Sequence, residues 1–454
     1  MKLEKRQNKR DGFSTKFGAI AAAAGSAIGL GNIWRFPYIA EKGGGGAFVL
    51  IYACFIILIG VSCLLLEFII GRKSQRDVIG SFYELAPRQP WFIGGWIAVI
   101  TVVLIFAFYS VVFGWALDYL IKSVSNSFAG KSPVEIADMF GTTTSDVFKP
   151  IIYTIIGIGL TTFVVVGGIK KGIEKGAKIL MPLLFLFLII LAVRSLMLPN
   201  SSLGLAFLFY PDFSKVTSET ILLALGQAFF TLSLGSGAMI TYGSYIRKKE
   251  TLASIVIYTC ILSFSVSILA GIVIFPAVFS FGIAPSQGPR LAFITLPNIF
   301  QQMFGGYIFS VVFFLLIAVA ALTSTLSMLE VVVAALTGRK GTSRMKAAIW
   351  VSIAIVFLSV PCSLSYGIMS DFKIFGLNTF DLLDYITANF GLTISSMIFA
   401  VFVGWFMGSD NVKDELSNSG LLSVKYFSVF MFVVKFVVPV GIIIVFLNSM
   451  GFIG

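Results

Sequence analysis

Gly25-Ser-Ala-Ile-Gly29-Leu-Gly31-Asn32 falls in the middle of one long apolar stretch, and Thr231-Leu-Ser233-Leu-Gly235-Ser-Gly237 falls in the middle of another. Each stretch is long enough to cross a bilayer as a helix, which takes about 20 apolar residues. Each places glycines near the midplane, where a helix in lipid should run without interruption. Unwound backbone is costly in hydrocarbon unless it lines a polar cavity. The two stretches therefore read as broken helices that meet around such a cavity. A break frees N–H groups on one half-helix and C=O groups on the other. The N–H ends suit a carboxylate, and the C=O ends suit a sodium ion or an ammonium group. Glycines also serve close helix packing. Two matched breaks with Asn32, Thr231 and Ser233 beside them favour a binding site over packing alone.

The rest of the chain supports a membrane reading. Of 454 residues, 57% are hydrophobic and 12% are charged. Soluble domains carry about 25% charged residues. That imbalance excludes an ordinary soluble globule and a disordered chain. Long apolar runs exclude a β-barrel, whose strands are short and alternating. The chain has no histidine, which removes the commonest metal ligand and disfavours most zinc chemistry. Cys54, Cys63, Cys260 and Cys362 all lie in apolar segments and read as small buried hydrophobes, without a disulfide or metal framework. The net charge of +12 reads as loop charge rather than as a nucleic-acid surface.

Eleven spans are expected, at roughly 17–38, 47–70, 91–120, 150–169, 178–198, 220–246, 252–281, 306–336, 347–366, 382–407 and 426–450. The apolar segment 288–304 is too short to cross and reads as a re-entrant or surface helix within a loop. No cleavable signal peptide is expected before the first span. With the N-terminus inside, 23 of the 33 Lys and Arg fall on inside segments and seven on outside loops. This positive-inside bias places the N-terminus in the cytoplasm and the C-terminus outside. The two broken helices are the first and sixth spans, so they cross in opposite directions. This is the pattern of inverted repeats, here 17–200 and 218–409, after a cytoplasmic segment 1–16 and before a separate helix at 425–454. The fold class expected is an all-α polytopic membrane protein with eleven transmembrane helices, a 5+5 inverted repeat and discontinuous helices one and six.

Several long motifs resemble those of the neurotransmitter:sodium symporter family. They are Gly25-Ser-Ala-Ile-Gly-Leu-Gly-Asn-Ile-Trp-Arg-Phe-Pro-Tyr38 with Gly43-Gly-Gly-Gly-Ala-Phe48, Gly226-Gln-Ala-Phe-Phe-Thr-Leu-Ser-Leu-Gly235 with Thr241-Tyr-Gly-Ser-Tyr245, Lys171-Gly-Ile-Glu-Lys-Gly-Ala-Lys-Ile-Leu-Met-Pro182, and Ala321-Leu-Thr-Ser324. The resemblance covers essentially the whole chain. It is nearest to the prokaryotic amino-acid-transporting branch, which includes the bacterial leucine transporter. It implies a transporter in the cell's inner membrane, not an enzyme, that carries a neutral amino acid with one or two sodium ions by alternating access. A bulky hydrophobic or aromatic substrate is expected, because Ser236 and Ser327 are small and polar.

The resemblance also implies residue roles. The carboxylate would lie at the N–H groups of Leu30 and Gly31 and the Tyr109 hydroxyl. The ammonium would lie at the carbonyls of Ala27, Phe230 and Thr231 and the Ser233 hydroxyl. The side chain would face Ile105, Phe230, Ser236, Ser327 and Met328, with Ser324 alongside. One sodium site would take Gly25, Ile28, Ala320, Thr323 and Ser324, five neutral oxygens that suit a hard monovalent cation. The other would take Ala27, Asn32 and Thr231, with Ser263 where the family usually has Asn or Asp. Ser263 brings no charge and a shorter reach. Neither Ser263 nor Ser267 is acidic, and Tyr52, Gln227, Thr231, Ser263 and Ser267 form a candidate chloride set. Arg35 and Asp384 would form an outer gate. Arg10, Phe13 and Tyr245 would belong to an inner one, with Gly338 where an acid partner of Arg10 is expected. Glu67 would brace the broken segments, and Gly172 with Pro182 would let the fifth span loosen at its inner end. Glu330 and Asp118 have no assigned role. The implied partners are the amino-acid substrate and the lipid bilayer, with no nucleic acid, as a monomer or dimer. The rival readings are a channel, a transport-dead amino-acid sensor and an ion-uncoupled exchanger of the same fold.

Overall fold

The structure is a computed structural model and describes residues 12–282 and 290–452, the side chains of Arg339 and Lys340 excepted. Among these residues the chain is helical, apart from one isolated bridge between Ile374 and Leu377. In chain order the helices are α1 (Lys16–Ala27), α2 (Gly31–Lys42), α3 (Gly46–Ser74), α4 (Val78–Leu85), α5 (Phe92–Val124), α6 (Pro133–Ser145) and α7 (Lys149–Val166). Then come α8 (Ile169–Leu196), α9 (Ser201–Phe209), α10 (Ser218–Thr231), α11 (Ala238–Gly243), α12 (Leu252–Phe281) and α13 (Leu296–Gln302). The last are α14 (Gly306–Lys340), α15 (Arg344–Leu364), α16 (Thr379–Phe406), α17 (Ser409–Leu416) and α18 (Phe427–Ser449).

Both interruptions are present. Helices α1 and α2 meet at 57° across Ile28–Leu30. Helices α10 and α11 are separated by residues 232–237, where Ser233, Gly235 and Gly237 all take positive φ. Gly235 is required there. Its φ is +79°, and a Cβ would lie 2.2 Å from the Leu392 carbonyl oxygen. The breaks sit inside a frame of long helices. Helix α1 packs on α8, α12 and α14, and α5 runs along α14. The frame is largely apolar, and many large hydrophobic side chains lie exposed on its outside, as suits a surface that faces lipid.

Two expectations need correction, the start of the fifth span and the burial of Cys54. Among the described residues nine helices are long and apolar enough to cross a membrane, and the bent α1/α2 pair makes ten. The sixth expected span is discontinuous as expected, in two helices of 14 and 6 residues, each too short to count alone. The fifth span begins at Ile169, not at 178, because Lys170, Lys171, Glu174 and Lys175 are good helix formers that an apolar count passes over. Its first turn, Ile169–Glu174, is a π-turn, and Pro182 lies inside the helix that follows. Within 288–304, residues 291–302 are helical and pack inward. Phe293 is fully buried and stacks on Phe140 at 5.5 Å. Residues 288 and 289 lie outside the described residues. Cys63, Cys260 and Cys362 are buried as expected, but Cys54 is exposed on the outer face of α3; all four are free thiols.

Candidate functional site

One cavity opens between the two breaks. Every residue expected to contact substrate lines it except Thr231: Ala27, Leu30, Gly31, Ile105, Tyr109, Phe230, Ser233, Ser236, Ser324, Ser327 and Met328. Its empty space is about 780 Å³, counting the part open to solvent. At one end the Leu30 N–H donates to the Tyr109 hydroxyl at 3.2 Å. A Cβ on Gly29 would lie 2.7 Å from Ser324 Oγ and 3.0 Å from Tyr109 Oη, so only a glycine lets these groups converge. On the other side the Ser233 hydroxyl faces the Ser26 carbonyl at 3.5 Å. The remaining wall comes from α5 and α16. Val102, Phe108, Thr387, Ala388 and Leu392 line the cavity and had no distinguishing mark in two largely apolar helices. Asp384 is the one carboxylate among the described lining residues.

The positions expected to hold one sodium ion converge beside Ser324. The Ser324 hydroxyl donates toward the Ile28 carbonyl at 3.4 Å, which joins α14 to the first break. Thr323 donates to the Ala320 carbonyl at 2.9 Å, the back-bond common in membrane helices. Gly25 lies against Thr323, where an added Cβ would sit 3.4 Å from Thr323 Cβ. The Ile28 carbonyl and the Ser324 hydroxyl are thus brought together from two helices, with Thr323 beside Gly25.

The second set forms a buried hydrogen-bonded cluster. The Asn32 amide donates to the Ser263 carbonyl at 3.0 Å, to Ser263 Oγ at 3.1 Å and to Ser267 Oγ at 3.0 Å, while its oxygen accepts the Gly29 N–H at 3.2 Å. Thr231 Oγ1 accepts from the Tyr52 hydroxyl and from the Gln227 amide, each at 3.0 Å. Tyr52 and Ser267 are 3.4 Å apart. Thr231 therefore turns its side chain away from the substrate cavity and toward the candidate chloride set.

The gates differ from their expected pairings. Arg35 makes no ion pair with Asp384 within 4.0 Å. It donates instead to Gln227 Oε1 and lies 4.4 Å over the Phe230 ring. Gln227 and Phe230 sit three residues apart on one face of α10, so a single helix holds the guanidinium, while Asp384 stands on α16. At the inner end Arg10 lies outside the described residues. Tyr245 donates to Glu330 at 2.6 Å, and Arg344 grips the same carboxylate through both terminal nitrogens. Phe13 packs edge-on to Tyr242 and Tyr245, and its N–H donates to the Tyr245 carbonyl at 3.0 Å. At Gly338 a Cβ would lie 2.6 Å from Asp77 Oδ2, so the Asp77 carboxylate occupies the room an acid there would need.

Two braces complete the site. Glu67 accepts the Gly235 N–H at 2.8 Å, from a fully enclosed position on α3. Glu174 was not singled out in sequence. Its carboxylate accepts the N–H of Ser14 at 2.7 Å and of Thr15 at 3.3 Å, and both hydroxyls as well, tying the start of α1 to the π-turn of α8. Asp118 pairs with Lys122 at 2.7 Å away from the cavity. Glu174 was hidden in sequence and Glu330 had no assigned role because Glu174 reaches Ser14 across 160 residues and Glu330 reaches Tyr245 across 85.

Two broken helices around a shared cavity, within a helical frame of this apolarity, define a membrane transporter rather than an enzyme. The model of the sodium:neurotransmitter symporter family matches residues 10–138 and 140–452, and the chain belongs to that family. It is 40% identical over 440 residues to the uncharacterised sodium-dependent transporter YhdH of Bacillus subtilis (strain 168), covering 97% of both chains. It is 34% identical to an uncharacterised sodium-dependent transporter of Haemophilus influenzae, covering 97% of this chain and 98% of that one. Among solved structures, it is similar to MhsT in complex with L-phenylalanine, with a TM-score of 0.88 and 42% identity, covering 97% of this chain and all of the other. The chain is a sodium-dependent multi-pass transporter.

Proposed function

We propose that this protein moves a bulky neutral amino acid into the cell together with sodium, by alternating access. The observation that carries this reading is the single cavity between the breaks. Its lining combines the Leu30 N–H and the Tyr109 hydroxyl with Ile105, Met328 and the small Ser236 and Ser327. A zwitterion would satisfy the polar groups, and a large apolar or aromatic side chain would fill the rest. The similar protein MhsT was solved with L-phenylalanine, which has both features. Sodium bound at Gly25, Ile28, Ala320, Thr323 and Ser324 would bridge α1 to α14, and a second ion beside Asn32 and Thr231 would touch the substrate carboxylate. Coupling follows if both ions bind one face of the cycle better than the other. The lysine and arginine bias supports a cytoplasmic N-terminus.

The reading extends to chloride. Tyr52, Gln227, Thr231, Ser263 and Ser267 gather beside Asn32 without a carboxylate among them, so a bound anion would supply the charge that opposes sodium. A chloride-free cycle is favoured by a different observation: the same hydroxyls already bond to one another at 3.0–3.4 Å.

The test is uptake by proteoliposomes of labelled phenylalanine, tyrosine, tryptophan, leucine, alanine and glycine, with sodium and chloride replaced independently. Uptake of the large substrates should require an inward sodium gradient and fall when gluconate replaces chloride. Uptake that persists in gluconate removes chloride alone. Uptake without sodium would make the protein an exchanger, and binding without uptake would make it a sensor.

Pocket size gives a second expectation. Ser236 is buried at the cavity wall. Ser236→Phe should lower uptake of tryptophan relative to leucine by about tenfold or more, since each methylene of misfit in an apolar pocket changes discrimination by about that factor. Competition of each amino acid against labelled leucine reads the ratio. An unchanged ratio would place the substrate side chain elsewhere.

A further inference from the structure

Helices α7, α8 and α15 enclose a groove that shares no residue with the substrate cavity. Its empty space is about 1580 Å³, counting the part open to the outside. Gly159, Gly167, Gly172 and Gly176 contribute surface without side chains, and a Cβ on Gly159 would meet nothing within 4 Å. Ile155, Ile179, Ile349 and Val356 are among its apolar walls. The groove runs from Val166 to Ile155 on α7 and from Met345 to Val356 on α15, which is about 16 Å along each helix. That is about half the hydrocarbon thickness of a bilayer, the depth of one leaflet. Two hydroxyls within it, Thr162 and Ser352, satisfy each other at 2.6 Å.

The mouth is positively charged. Lys171 and Lys175 line it, are exposed, and lie one turn apart on α8. Neither is within 4.0 Å of a carboxylate among the described residues. The acid between them, Glu174, turns toward Ser14, Thr15 and Lys178, and Arg344 at the start of α15 is held by Glu330. Two uncompensated cations therefore stand over an apolar channel of one-leaflet depth.

We propose that this groove binds an anionic phospholipid, with one acyl chain along the glycine-rich floor and the phosphate between Lys171 and Lys175. Charge complementarity selects the headgroup. Depth selects an acyl chain over a partner's transmembrane helix, which would need the groove to continue across the whole core. The phosphate would bridge the π-turn that contains Gly172 to the first α-helical turn of α8, and so brace it.

The test is native mass spectrometry of the full chain after incubation with mixed phosphatidylglycerol and phosphatidylethanolamine vesicles. The wild type should retain phosphatidylglycerol selectively. K171Q/K175Q should lose that retention by about thirtyfold, from a factor of about five per lysine near a charged bilayer surface. Gly159→Leu, which fills open space on a helix, should lose it as well, and K425Q should not. Equal retention of both lipids by the wild type would overturn the proposal. So would full retention by Gly159→Leu, which would reduce the effect to attraction at a flat surface. A dimer of lipid-free protein that phosphatidylglycerol fails to dissociate, seen by light scattering, would assign the groove to a second copy instead.

Discussion

Glu67→Ala is expected to lower uptake by about a hundredfold while the chain still reaches the membrane. Glu67 holds the Gly235 N–H at 2.8 Å, in the unwound segment between α10 and α11. Gly235 itself is confined by its positive φ and by the Leu392 carbonyl, and its own carbonyl accepts from Ser395 at 2.6 Å. Removing the carboxylate leaves a buried N–H with no acceptor. That costs several kcal/mol in a dry environment, and about 1.4 kcal/mol is a factor of ten in population. The segment would then rearrange, and Ser233 and Ser236 would move with it. Glu67→Gln keeps an acceptor oxygen and should retain a substantial share of uptake. The comparison is initial rates in proteoliposomes at matched protein content. Equal rates for the alanine and glutamine variants would show that the acceptor is not what the break requires.

The double variant Thr323→Val, Ser324→Ala is expected to raise the sodium concentration for half-maximal uptake by about a hundredfold. The two substitutions nearly preserve volume and remove two of the five oxygens proposed to hold sodium between α1 and α14. A contact to a charged group contributes about 1.5–3 kcal/mol, so each hydroxyl accounts for roughly a factor of ten. Loss of the Ser324 contact to the Ile28 carbonyl would also free the first break from α14. Sodium titration of uptake, with substrate held saturating, reads the shift. An unchanged sodium dependence would show that Thr323 and Ser324 serve only their helix, as the Thr323 back-bond to Ala320 would then suggest.

The part of the cavity formed by the two breaks was legible in sequence because each break is one short contiguous segment. Once residues 25–32 and 231–237 are recognised as breaks, the order of their N–H and C=O groups follows from helix direction alone. Tyr109, Ser324 and Met328 entered by resemblance, and they line the same space. The outer gate was legible only as two charges. Their separation, with Arg35 held by Gln227 and Phe230, depends on how α10 sits against α2. Thr387, Ala388 and Leu392 were invisible because one wall of a cavity in an apolar helix has the same composition as the faces that pack.

Apolar run length, the placement of glycine and the distribution of lysine and arginine are local properties of the chain, and the bilayer acts on each run separately. That is why the helical membrane class and the two interruptions could be read before any packing was known. Which carboxylate meets which cation is a different kind of fact. Glu174 reaches Ser14 across 160 positions, Tyr245 reaches Glu330 across 85, and Asp77 stands in the room beside Gly338. Those choices were decided only when the helices packed, because in a medium without water each buried polar group must find its partner wherever the fold brings one.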